Sequence, residues 1–329
     1  MALAVLMSLA LAGARYTVTS APARVALTDR AADTMVSIDP SAGNIAFSLK
    51  VKGHEVLWWM PGQMSGIPFL GPWANRLDEQ AFWANGKRYP FDMTLGNVRG
   101  GAIPIHGFLT LTDKWRVVEA RADKSSAWVT SRLEFFREPS WMKQWPFAHT
   151  IEMTYRLQNG VLEVATSIVN LSTEPMPIAI GFHPYFQLTD APRDEWTISI
   201  GAKTHWKLAA NKVPTGGIEP IDALFGDRHA AALHDYDLDD VFGDLERDAH
   251  GRAVMSVKGR SQRLDVAFGP NYRAAVVWAP KGRPFICFEP MAGITDAVNL
   301  AQRGLYKELQ SVAPGQTWRE SFWITVTGF

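Results

Sequence analysis

Apolar and polar residues alternate with a period of two along much of this chain. Ile45, Phe47, Leu49 and Val51 alternate with Ala46, Ser48, Lys50 and Lys52; Ile151, Met153, Tyr155 and Leu157 alternate with Glu152, Thr154 and Arg156. The same spacing returns at Trp196, Ile198 and Ile200, at Leu264, Val266 and Phe268, and at Phe322, Ile324 and Val326. Successive side chains of a strand point to opposite faces, so each run predicts a strand with one buried face. Asn159-Gly160 joins two such runs, and Asn85-Gly86 lies between Phe82-Trp83 and Tyr89. Both are hairpin signatures of the tight kind that needs positive φ. No helical period persists beyond about two turns, and the stretch from His229 to His234 is the best candidate for a short helix. The pattern predicts an all-β fold, a large antiparallel β-sandwich with few short helices. The expected organisation is a possible signal peptide over 1–14, a lead-in over 15–35 and one sandwich domain over 36–329.

Composition narrows the picture without changing it. The chain has 329 residues, 47% of them hydrophobic, which is enough for a large core. Lys+Arg number 33 and Asp+Glu number 33, so charge offers no case for nucleic acid or an anionic membrane as partner. Cys287 is the single cysteine and excludes an internal disulfide. Thirteen Trp is a high count; Trp faces suit the C–H edges of sugar rings, although most belong to the expected core. Residues 2–12 form an apolar run of signal-peptide length, and Ala12-Gly13-Ala14 fits a small-x-small cleavage pattern. The run is too short to span a bilayer, and no Lys or Arg precedes it. It reads as an export leader, giving a periplasmic or secreted protein; the alternatives are a start further upstream, or a mildly apolar leader on a cytoplasmic protein.

In such a fold, chemistry sits where strand ends and loops converge on a concave face. Gly181-Phe182-His183-Pro184-Tyr185-Phe186 sets a histidine between a strand end and a proline-fixed turn. An imidazole there can exchange protons near neutrality, or can be a core histidine satisfied by a backbone carbonyl. Glu289 closes the apolar run Phe285-Ile286-Cys287-Phe288, with Pro290 behind it. It either faces water at a sheet edge or is desolvated in a cleft, where its pKa rises and it becomes a competent base. Asn75-Arg76 follows a Gly-Pro turn, and Arg76 is either a surface residue or a fork donor to a ligand oxygen. His106 follows an apolar strand and, taken alone, reads as structural. Residues 235–248 hold seven acids in fourteen positions. Asp235, Asp237, Asp239 and Glu246 match positions of an EF-hand calcium loop, yet Asp240 stands where the sharp turn needs glycine. A solvated acidic turn with one Asp aimed at substrate fits better. No phosphate loop, nucleophile elbow, Cys-x-x-Cys pair or His-x-x-x-His metal spacing occurs.

Taken together these stretches resemble the aldose 1-epimerase (galactose mutarotase) family, in order, from about Val36 to Phe329. Asn75-Arg76 looks like its Asn-Arg motif, Ile105-His106-Gly107 like its His-Gly motif, and His183-Pro184-Tyr185-Phe186 like its His-x-Tyr-Phe signature. Asp239-Asp240-Val241-Phe242 is similar to its Asp-x-x-Phe element. Glu289-Pro290 with Asp296-Ala297-Val298-Asn299 is similar to its Glu-Pro…Asp-Ala-x-Asn segment. The resemblance implies a galactose-mutarotase-like supersandwich and a cofactor-free reaction at the anomeric carbon of a small-molecule sugar, with no metal. Carried over by position, Glu289 is the general base and His183 the general acid. Arg76, His106 and Asp239, with Asn75 beside them, hold the sugar. On reference pKa values of about 4.3 and 6.5, a carboxylate and an imidazolium are the expected forms.

Pro184 in the signature, Gly293-Ile294-Thr295 before Asp296, and the 189–235 segment depart from the family pattern or belong to this chain alone. They leave the preferred sugar open. One rival is an epimerase of hexose 6-phosphates, which would need basic residues such as Arg76 and Arg99 gathered beside the pocket. Another is a carbohydrate-binding or polysaccharide-processing sandwich that shares the fold without the chemistry.

Overall fold

The computed structural model describes residues 13–21 and 23–329; the apolar run of residues 2–12 lies outside them. The alternating segments become antiparallel strands, Ile45–Val51 in a five-stranded sheet and the others in a nine-stranded one that packs on a third, eight-stranded sheet. The nine-stranded sheet runs Ala231–Ala232, Thr197–Ile200, Ala253–Lys258, Arg263–Phe268, Thr317–Thr327, Val161–Asn170, His149–Gln158, Ala127–Glu134 and Arg116–Ala122. Its central hairpin, His149–Gln158 with Val161–Asn170, alternates buried and half-buried residues along nearly its whole length. Asn159 and Gly160 make the turn at φ 51° and 74°, and Asn85 and Gly86 make the other predicted hairpin at φ 52° and 73°. These are the left-handed values that Asn and Gly tolerate best.

The eight-stranded sheet has the order Pro214–Pro220, Ala202–Leu208, Leu238–Leu245, Ala274–Ala279, Ile286–Met291, Gly181–Phe182 and Phe69–Leu70, with Tyr185–Phe186 also paired to Ile286–Met291. One of its faces packs on the nine-stranded sheet. Phe242, Val277 and Phe288 from the first join Val164, Phe322 and Ile324 from the second in one core, and the Phe182 and Phe322 rings meet at 4.9 Å. The other face carries polar groups and is the one that matters below. Ile286–Met291 is buried at every residue, which fits its unbroken apolar spelling. It runs through Pro290 to Met291 instead of stopping at the proline. Gly181 lies against it so closely that a Cβ there would collide with Met291 and Ala74.

A five-stranded sheet, Tyr16–Ala21, Arg24–Asp29, Thr34–Asp39, Ile45–Val51 and His54–Glu55, adds Val25, Leu27, Val36 and Leu49 to the same core. Its register slips between Ser37 and Ile38, whose partners are Ser48 and Ala46, so Phe47 is skipped. Phe47 is therefore only half-buried, against the alternation read from sequence. The expected helix at 229–234 is absent. Ala231–Ala232 pairs with Thr197–Ile200, and Leu233–Asp235 is one 3-10 turn, because pairing at a sheet edge satisfies the backbone there. The α-helices among the described residues are Pro139–Gln144 and Ala297–Gln302, each six residues long and too short to show a period. No helix among the described residues is long and apolar enough to cross a membrane.

Candidate active site

Register builds the floor of the site. Asp239 pairs with Trp278, Trp278 with Cys287 and Cys287 with Tyr185, so four strands line up one row of side chains on the face turned away from the core. Glu289, two residues past Cys287, projects from that same face. His183 follows the strand Gly181–Phe182, with its backbone N–H donated to the Pro68 carbonyl at 3.0 Å. Its ring stacks on Tyr185 at 4.7 Å and meets the Trp278 edge at 5.5 Å. This fixes the imidazole next to the carboxyl: His183 Nε2 lies 3.3 Å from Glu289 Oε1, with the side chains 6% and 1% exposed.

The remaining residues come from two loops locked together. The Asn75 backbone N–H donates to His106 Nδ1 at 3.2 Å, and the His106 N–H donates to the Asn75 carbonyl at 2.9 Å. Both residues sit at positive φ, 56° and 60°, unusual for side chains other than glycine and mildly costly for His. Gly107 must be glycine, since its φ is 57° and a Cβ would collide with the Gly71 carbonyl. The Asn75 Oδ1 accepts from the Arg76 N–H at 2.9 Å and from Arg76 Nη1 at 3.0 Å. Arg76 Nη2 reaches Asp239 Oδ2 at 3.2 Å, and the His106 ring meets the His183 ring at 5.4 Å. All six residues singled out from sequence are thus joined in one chain of contacts: Glu289, His183, His106, Asn75, Arg76 and Asp239. Asn75 is buried and spends its carbonyl oxygen on aiming Arg76.

The electrostatics differ from the ionised pair expected from reference values. Burial pushes the Glu289 carboxyl well above its ordinary range, Asp239 adds to the rise and Arg76 opposes it. Burial lowers the His183 imidazole to about 3, with Arg76 adding to the fall. His106 is likewise held well below its ordinary value, by burial first and then by His183, Arg99 and Arg76. Burial therefore favours a protonated Glu289 beside a neutral His183, because a low-dielectric setting penalises both charged forms. Glu289 Oε2 and His183 Nδ1 have no hydrogen-bond partner among the described residues. Each is a buried polar atom free to meet a ligand.

Residues 235–248 are not the acidic turn expected. Leu238–Leu245 is a strand with Leu238, Phe242 and Leu245 buried, so Asp239 and Asp240 point to opposite faces. Asp240 pairs with His205 at 2.9 Å, Glu246 with Arg228 at 2.9 Å, and Asp237 accepts the Lys281 N–H at 3.0 Å. Among the described residues no group of three or more His, Cys, Asp or Glu is placed to hold a metal ion. Sequence reasoning missed Trp278, whose place beside Ala274 and Val276 gave no sign that it packs on His183. It also missed the tie between Asp78 and Asp296, 218 positions apart, and the Arg303 nitrogen that reaches both acids.

The profile of the family described as aldose 1-epimerase matches residues 30–325. A galactose mutarotase-like protein from Clostridium acetobutylicum has a similar structure, with a TM-score of 0.81 at 20% identity, over 95% of this chain and 98% of that one. Galactose 1-epimerase from Lactobacillus acidophilus NCFM gives a TM-score of 0.73 at 15% identity, over 95% and 98% of the two chains. At these identities the likeness is one of fold. The uncharacterized protein YihR of Escherichia coli K12 is 26% identical over 167 residues, 49% of this chain, and the match spans 50% of that relative's length.

Proposed function

The chain belongs to the aldose 1-epimerase family, and from that premise we propose that it interconverts the α and β anomers of a free aldohexose by acid–base opening and closing of the pyranose ring. The observation that carries this reading is the buried contact between His183 Nε2 and Glu289 Oε1 at 3.3 Å, each residue keeping one unpartnered polar atom. Mutarotation removes a proton from the C1 hydroxyl and delivers one to the ring oxygen. The C1–ring oxygen bond breaks to leave an aldehyde at C1 and a hydroxyl at C5. Rotation about C1–C2 and closure on the other face then give the opposite anomer.

One acid and one base suffice, because closure returns each to its starting protonation state: Glu289 gives its proton back to the C1 oxygen and His183 takes one from the C5 hydroxyl. In the forward step the Glu289 carboxylate takes the C1 proton and the His183 imidazolium gives its own to the ring oxygen. Ring opening leaves Glu289 protonated and His183 neutral. That is the form burial favours, so the two proton placements correspond to the open-chain and the ring-closed sugar. They differ only by moving one proton between the two side chains. Hydroxyl groups of a pyranose donating to Glu289, with Arg76 nearby, favour the carboxylate.

Arg76, His106 and Asp239 would hold the sugar. The Arg76–Asp239 ion pair is about a quarter exposed on each side. Such a pair is worth at most about 1 kcal/mol, so sugar hydroxyls displace it cheaply. Trp278 and Tyr185 offer the aromatic wall against which the C–H face of a sugar packs. The test is polarimetry on the purified protein with fresh α-glucose, α-galactose and other aldoses in turn. Anomer exchange well above the spontaneous rate is the expected result, and sugar binding with no acceleration would point instead to a carbohydrate-binding role.

A further inference from the structure

Arg76 has a long side chain about a quarter exposed, so its aim depends on how its backbone is held. Its N–H is donated to Asn75 Oδ1, and its carbonyl accepts the Asp296 N–H at 3.0 Å. Asp296 is itself at φ 61° and almost wholly buried. Its Oδ1 accepts the Asp78 N–H at 3.2 Å, and its Oδ2 lies 2.7 Å from Arg303 Nη2. The same Arg303 nitrogen lies 2.6 Å from Asp78 Oδ2. Asn299 completes the arrangement, donating to Asp78 Oδ1 at 3.0 Å and accepting the Trp83 N–H at 3.2 Å.

From this geometry, and building on the reading that Arg76 holds the sugar, we infer that Arg303, Asp296, Asn299 and Asp78 form a positioning clamp that sets sugar affinity through the Arg76 backbone. Two carboxyl groups this close repel unless a proton or a cation stands between them. Arg303 is that cation, and it reaches both acids with one nitrogen. Consistent with crowding, Asp296 is raised to about 8, by burial first and then by Asp78. The clamp also joins the two halves of the site, since Asp296 lies seven residues beyond Glu289 and grips the loop that carries Arg76. The Asp-Ala-x-Asn stretch thereby acquires a role at a distance from the sugar, through hydrogen bonds to backbone and to Asp78.

Arg303 is the residue to perturb. Its side chain is 45% exposed, so replacing it leaves no cavity in the core. Arg303→Met removes the donor that ties Asp78 Oδ2 to Asp296 Oδ2, and the 76–78 loop shifts. A displacement on the order of 1 Å can cost up to about 10² in activity; the expected result here is a tenfold rise, roughly, in the glucose dissociation constant and in KM, with kcat within about threefold of the parent. Arg303→Lys, which keeps a cation, recovers most of the loss. The deciding measurement is a double-mutant cycle. If Arg303 acts through Arg76, then Arg303→Met adds nothing further in an Arg76→Ala background; sugars are soluble enough to measure such weakened binding. Equal penalties in both backgrounds, or no change in affinity in either, would overturn the clamp. Affinity is read by titration calorimetry, so a parent that binds glucose without turning it over counts against the proposed reaction while the cycle still judges the clamp. A parent that binds no aldose overturns both.

Discussion

Glu289→Gln is the substitution with the most to say, because activity and stability should move in different directions. Gln keeps the shape of the side chain and can still meet His183 Nε2, but it cannot accept the C1 proton. Losing one acid–base partner costs about 10² to 10⁴ in rate. Stability carries an independent signature. Burial raises the Glu289 pKa in the folded protein, so between the ordinary value near 4.5 and the folded value the native state holds a proton that the unfolded chain has released. Over that window the parent loses stability as pH rises, at roughly 1 kcal/mol per pH unit. His183 has the opposite sign: lowered to about 3 when folded, it makes stability rise with pH up to the ordinary imidazole range. Subtracting parent from variant removes the part of the His183 contribution common to both and leaves mainly that of Glu289. The melting temperature of Glu289→Gln, relative to the parent, should therefore climb as pH rises above about 4.5 while polarimetry shows turnover lost. Equal turnover in the two proteins would refute the base assignment. A melting difference independent of pH would refute the burial argument.

His183→Asn should lower kcat by at least about a hundredfold, on the same acid–base reasoning; undiminished activity would return His183 to the status of a core histidine. The pH profile discriminates further. The pair works with one shared proton, and a second is taken up only as pH approaches the His183 value of about 3. The kcat/KM of the enzyme, after subtraction of the spontaneous rate, should stay flat from neutrality to roughly pH 4. An acid limb near 6.5 would mean that His183 titrates as an ordinary imidazole. Treatment with EDTA should leave the rate unchanged, and a loss restored by calcium would reopen the acidic segment as a metal site.

Much of this architecture can be read from spelling alone, and the reasons are local. Period-two strands such as His149–Gln158 announce themselves because one face is buried and the other is not. The Asn-Gly turns do so because few other residue pairs accept the backbone they need. The six candidate residues that the structure brings into contact stand in short motifs, each close to a glycine, a proline or an apolar run that fixes its backbone. What stayed hidden depends on partners distant in sequence. The bulge that turns Phe47 aside is set by the register with Thr34–Asp39. Protonation of Glu289 follows from a burial that only the finished sheet creates. Arg303 gives no local sign of its role, because a cation shared by residues 78 and 296 has no pattern in either neighbourhood.

The strand order of the sheet beneath the site has a further consequence. Ile286–Met291 is flanked by Gly181–Phe182, and that strand in turn by Phe69–Leu70, so adjacent strands come from three widely separated parts of the polypeptide. No early-forming fragment can hold the constellation, and contacts of such long range are slow to close. The proposed anomer exchange should be the last property to return when the denatured chain refolds, lagging behind circular dichroism and tryptophan emission. A single nick between residues 78 and 296 that lets the ends drift apart should abolish it even while most strands persist.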